Sequence, residues 1–187
     1  MTDSINLTNH LLIAMPQLAD GNFYRSVTYI CEHNDSGAMG VIINKPTNLH
    51  VSDILNDMSI PCEDSPMAGN PVLLGGPVQT EQGFVLHSPL GSWDSTLKVT
   101  DNIGITTSKD VLSSIADNQG PSTALVFLGY AGWGEGQLEK EIMANSWLTI
   151  ETNREILFET AYDKRWEAAA HLLGIDISML SSDSGHA

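Results

Sequence analysis

In this chain of 187 residues, Cys31 and His33 come closest to a nucleophile with its base. Side chains alternate along an extended segment, so Arg25, Val27, Tyr29, Cys31 and His33 would share one face, and an imidazole beside a thiol can hold it as a thiolate. Val27 and Tyr29 mark that face as core, however, and cysteine is among the residues most often buried without chemical duty. The expectation is a packed thiol, with His33 closing the turn that follows. The other histidines, at 10, 50, 87, 171 and 186, include no pair at i, i+4 spacing, so no zinc site is expected. No serine sits in a G-x-S-x-G elbow, and no cofactor motif is intact.

A second candidate follows the apolar run Leu125-Val126-Phe127-Leu128, where glycines stand at 129, 132, 134 and 136. A strand entering a glycine-rich turn and then a helix can cradle phosphate on backbone N–H groups. A dinucleotide fingerprint starting at Gly132 needs glycine or alanine at 137, which is Gln137. A Walker loop needs Lys and then Ser or Thr where the chain has Glu135 and Gly136, and that carboxylate would repel the phosphate. The glycines are therefore read as structural, giving a loop that turns Tyr130 and Trp133 in different directions. Gly136 is then a helix N-cap, with Glu139 and Glu141 in the first turns where negative charge suits the helix dipole. Glu135, Glu139 and Glu141 read as a solvated acidic turn.

Eight Lys plus Arg against 23 Asp plus Glu give a net charge of −15. Such a surface repels the phosphate backbone, and Lys164 and Arg165 are too few to make a DNA-reading helix beside Asp163 and Glu167. Direct nucleic-acid binding is disfavoured. No apolar run approaches the roughly 20 residues of a membrane helix. Met1-Thr2-Asp3-Ser4 carries no basic region, and Pro16 stops the short apolar segment Leu11 to Met15. A cytoplasmic protein with Cys31 and Cys62 as reduced thiols is expected.

The elements that must position these residues follow from periodicity. Strands are expected at Leu11 to Met15, Ser26 to Glu32 and Met39 to Asn44, the last two forming a hairpin. Val51, Ile54, Leu55 and Met58 have helical spacing. Short strands at 72–74, 84–87, 96–99 and 103–106 suggest an antiparallel meander. A helix capped by Thr107 and Asp110 buries Val111, Leu112, Ile115 and Ala116. Strand 123–128, the glycine loop, a helix to about Asn145 and strand 147–151 permit one parallel crossover. A last helix, 163–173, places Trp166, Ala169, Ala170 and Leu173 on one face. One domain over 1–180 is expected, with a frayed polar tail at 181–187.

Three blocks together resemble the AlgH/YqgE family of bacterial proteins. The first is Gly21-x-Phe23-x-Arg25-Ser26-Val27, continuing through Cys31-Glu32-His33-Asn34, Gly37-Ala38-x-Gly40 and Asn44-x-Pro46. The second is Gly75-Gly76-Pro77-Val78 with Leu86-His87. The third is Gly129-Tyr130-Ala131-Gly132-Trp133 with Gly136-Gln137-Leu138-Glu139-x-Glu141 and Trp147. The resemblance implies one mixed α/β domain whose strongly bent sheet closes partly into a barrel with helices outside. Its members are commonly labelled transcriptional regulators, and it supplies no catalytic residues to carry over.

Two functions are compatible with these residues. One is a binding or regulatory protein without catalysis, acting on a protein partner or small ligand through an exposed surface with Arg25, His33, Asn44, Tyr130 and Trp133. The other is an enzyme for a small anion or nucleotide, using a cleft between the glycine loop and the Arg25 to Asn44 hairpin. There Arg25 would clamp the anion and His33 or Glu139 would act as base.

Overall fold

Val27, Thr28, Tyr29 and Ile30 are β-branched or aromatic, types that suit a pleated surface, and all four are buried. In a computed structural model of the chain, which describes residues 5–18 and 20–175, they open strand β2 (Val27–Asn34) of a mixed α/β protein. The tail expected at 181–187 lies outside the described residues. The chain forms two compact units, Met1–Lys45 with Ala131–Ala187, and Pro46–Tyr130.

In the first unit, β1 (His10–Ala14) pairs antiparallel with β2 and with β10 (Trp147–Glu151). Strand β2 pairs with β3 (Gly37–Ile42), which pairs with residues 131–133 at the end of β9 (Thr123–Trp133). A bulge between Ile30 and Glu32 divides β2: residues 27–31 are buried on both faces, after which exposed Glu32 and Asn34 alternate with buried His33. Helices α3 (Gln137–Met143) and α4 (Arg165–Leu172) complete the unit, with a one-turn 3-10 segment, Tyr162–Lys164, leading into α4. Trp166, Ala169 and Ala170 are buried as expected, but Leu173 falls beyond the helix and is exposed. The π-type turn Glu155–Glu159 had no sequence signal.

In the second unit, β4 (Pro46–His50) pairs with β5 (Pro71–Leu74), and α1 (Val51–Asp57) buries Val51 and Leu55 of the expected stripe. The expected meander is rearranged. Strand β6 (Val78–Ser88) pairs with β8 (Gly104–Thr106) and with β9, leaving β7 (Thr96–Lys98) outside β8. The parallel pair is β5 with β9, Leu73 opposite Phe127, whereas β10 pairs antiparallel with β1. Helix α2 (Lys109–Ala116) starts one residue later than expected, because the Thr107 N–H donates to the Ser95 carbonyl at 3.0 Å. Ser108 takes the N-cap position, and its hydroxyl donates to Asp110 at 2.5 Å.

The glycine loop is mostly strand. Strand β9 continues through Gly129 and Gly132 to Trp133, because glycine here permits close backbone approach rather than a turn. At Gly129, with φ 76°, a Cβ would lie 2.4 Å from the Gly76 carbonyl oxygen. The only residues left to turn are 134–136.

Candidate functional site

His33 sits one residue before the end of β2, buried, and both ring nitrogens are committed. An amide N–H can only donate, so the Leu7 N–H at 3.0 Å makes Nδ1 an acceptor and leaves the proton on Nε2. Nε2–H then donates to Glu139 Oε1 at 2.6 Å. Glu139, in the first turn of α3, has its carboxyl held below the usual range first by its own backbone N–H and then by His33, against a partial desolvation. The pair ties the β2 hairpin to α3, and no lone pair remains on His33 for proton abstraction. Gly136, the N-cap expected there, has φ 70°.

Cys31 is the packed thiol expected, 1% exposed, and burial pushes its pKa upward, with Glu32 adding to the effect. Arg25 precedes β2 and His33 lies near its end. The six residue steps from Val27 to His33 along the strand extend about 20 Å, too far for one small ligand to meet both side chains. The anion-clamping enzyme with His33 as base is therefore not assembled. The phosphate cradle is absent too, since residues 131–133 are paired in the β3 ladder and the Gly134 N–H donates to Gln137 Oε1 at 3.0 Å.

Asn44 is a clip. Its Oδ1 accepts the Val27 N–H and its Nδ2 donates to the Arg25 carbonyl, both at 2.9 Å. Trp133, expected to be exposed, is 6% exposed. Its ring lies 6.1 Å from those of Phe23 and Trp147, and Phe23 meets Trp147 edge-on at 5.4 Å. Glu141, read as a solvated charge, accepts the indole N–H of Trp147 at 3.2 Å and that of Trp133 at 3.4 Å. Two indoles sharing one acceptor eight and six residues away left no signal in the sequence beyond the acid's place on α3.

In the second unit, Tyr130 is half-buried and packs edge-on against Phe84 at 5.6 Å. The same unit carries a groove of about 540 Å³. Its apolar lining is Ile54 and Met58, one turn apart, with Leu49, Leu112 and Leu128. Asp53, Asp57 and Glu81 stand around it with Lys109. Among the described residues no three His, Cys, Asp or Glu side chains are grouped to hold a metal ion.

The sequence profile described as AlgH-like matches residues 11–178. The chain belongs to the AlgH-like family. A UPF0301 protein of Thioalkalivibrio sulfidiphilus is 54% identical over the whole of both chains, and one from Nitrosococcus oceani is 51% identical over 96% of each. The solution structure of AlgH from Pseudomonas aeruginosa superposes with a TM-score of 0.79, at 42% identity, over 100% of this chain and 99% of that one. A Corynebacterium diphtheriae protein shares the fold, with a TM-score of 0.73 at 19% identity, over 97% and 94%. No helix among the described residues is long and apolar enough to cross a membrane.

This AlgH-like chain also carries a buried polar chain that its sequence did not announce. His87 Nε2 lies 2.6 Å from Thr106 Oγ1, Nδ1 lies 3.0 Å from the Pro89 carbonyl, and Thr106 reaches Thr96 at 2.7 Å. Nδ1 must donate to the carbonyl, so the Thr106 hydroxyl donates to Nε2 of the neutral ring. Trp93 covers the imidazole edge-on at 4.9 Å. Burial lowers the His87 pKa, with the Pro89 bond opposing. A histidine kept neutral in the fold contributes stability that is complete above the unfolded pKa of about 6.5 and is lost as pH falls from there toward the folded value. Urea midpoints measured from about pH 7 to about pH 5 should therefore fall more for the wild type than for His87→Gln. Parallel curves would show that His87 is not held neutral.

Proposed function

We propose that this AlgH-like protein is a cytoplasmic regulatory binding protein without catalysis, which holds a basic, partly apolar segment of a partner protein in the groove of its second unit. The observation that carries this reading is the groove's chemistry: an apolar lining set among three carboxylates and one lysine. Its volume lies in the range of ligand pockets, about 300–1,000 Å³, and Leu49 at its side is 43% exposed. An amphipathic helix fits such a site, burying leucine-like side chains against that lining while its lysines face Asp53, Asp57 and Glu81. The net charge of −15 favours a basic partner and opposes nucleic acid.

A Leu/Lys-patterned helical peptide is a suitable probe, and one substitution separates the groove from general acidity. Leu49→Asp removes an apolar side chain from the lining and adds a negative charge, so nonspecific attraction of the peptide would strengthen while groove binding weakens. Titration calorimetry at constant salt should show about tenfold weaker binding to Leu49→Asp. Equal or tighter binding by that variant would sink the proposal.

A further inference from the structure

We infer that Arg25, held over the rings of Tyr24 and Trp166, forms a binding site in the first unit for a small oxyanion, a carboxylate or a phosphate. The side chain of Arg25 is exposed and lies over two rings, 5.4 Å from that of Tyr24 and 5.1 Å from that of Trp166. Stacking uses the faces of a guanidinium and leaves its N–H edges open, the geometry that meets two oxygens of a carboxylate or phosphate. Among the described residues no carboxylate lies within 4.0 Å of Arg25, Lys45 or Arg165.

The backbone holds this arginine in place at some cost. Its φ is 52°, in the left-handed region that a side chain with a Cβ disfavours, and the Asn44 amide grips its carbonyl. Lys45 follows Asn44 and donates from Nζ to the Asn22 carbonyl at 2.7 Å. Arg165 precedes Trp166 and is 1% exposed, donating to the carbonyls of Ile43 at 2.6 Å and Thr160 at 2.9 Å. Burial lowers its pKa to about 10, so its charge persists at neutral pH, and burial likewise lowers that of Lys45, against the nearby Asp20.

Three of the eight Lys and Arg residues are thus tied to residues 43–45 or lie among them, Arg25 through its carbonyl and Arg165 through its guanidinium, with Asp20 as a nearby opposing charge on Lys45, in a chain that has 23 Asp and Glu. A compact anion gains from this local charge. An extended polyanion would meet the acidic surface around it.

The test is an NMR titration of the full chain with inorganic phosphate and, separately, with acetate, at fixed ionic strength. Saturable shifts are expected at the Arg25 Nε–H and the Trp166 indole, from one anion or both, and the stronger responder identifies the ligand chemistry. Arg25→Gln should weaken binding by about tenfold or more, with Arg25→Lys intermediate because it keeps the charge and loses the fork. Lys45→Gln should weaken it as well. Lys98→Gln, which removes a cation paired with Asp101 in the other unit, should leave it unchanged. The proposal is overturned by the absence of saturable shifts with both anions, by wild-type affinity in Arg25→Gln, or by an equal loss in Lys98→Gln.

Discussion

Gly129→Ala should lower the free energy of unfolding by about 3 kcal/mol or more, measured as a fall in the urea midpoint at constant m-value. Two costs combine at this position. The left-handed φ of 76° alone costs an alanine about 1–2 kcal/mol. The new Cβ would also stand 2.4 Å from the Gly76 carbonyl oxygen and 3.1 Å from that of Val78, backbone atoms fixed by the pairing of β5 and β6 with β9. Gly136→Ala is the control. It has nearly the same φ, 70°, but open space within 4 Å, so it should lose only the conformational part, about 1–2 kcal/mol. Equal losses in the two variants would mean that the strands separate freely at Gly129 and that its role is conformational alone.

That pair of glycines also shows what the sequence could and could not disclose. Gly136, next to a helix with acids in its first turn, has a local signal and is the N-cap that signal implies. Gly129 has none, since glycine in a turn and glycine in a close strand crossing look alike until the partner strand is known, and its partner is about fifty residues away at Gly76. The same division runs through the elements. Strand β2 was legible from its run of β-branched and aromatic residues and helix α1 from its apolar period, whereas β4, with the residues Pro46 to His50, is exposed along most of its length and has no period to read. Asn44, His33 and Glu141 were visible as polar residues at marked positions, but their partners are the Arg25 and Val27 backbone, Leu7 with Glu139, and two indoles. Nonlocal hydrogen bonds of this kind leave no spacing pattern. The groove is further from legibility still, because its lining comes from four separate stretches of chain between Leu49 and Leu128.

Trp147→Ala should destabilise the fold by about 3–5 kcal/mol. The side chain is 2% exposed, and its removal would empty the space between Phe23 and Trp133, which meet it edge-on at 5.4 and 6.1 Å. Trp147→Phe keeps an aromatic edge for both neighbours and gives up the bond to Glu141, an acceptor only half-buried that water can reach. Its loss should accordingly be the smaller, about 1–2 kcal/mol. Glu141→Ala reverses the imbalance. It leaves the indole N–H groups of Trp147 and Trp133 without their shared acceptor inside the unit, at about 1–3 kcal/mol for an unsatisfied buried donor. If the carboxylate acts mainly by satisfying Trp147, then Glu141→Ala in the Trp147→Phe background should cost less than in the wild type, by about 1 kcal/mol in a double-mutant cycle. A coupling near zero would mean that the rings hold one another and that Glu141 adds nothing to the trio.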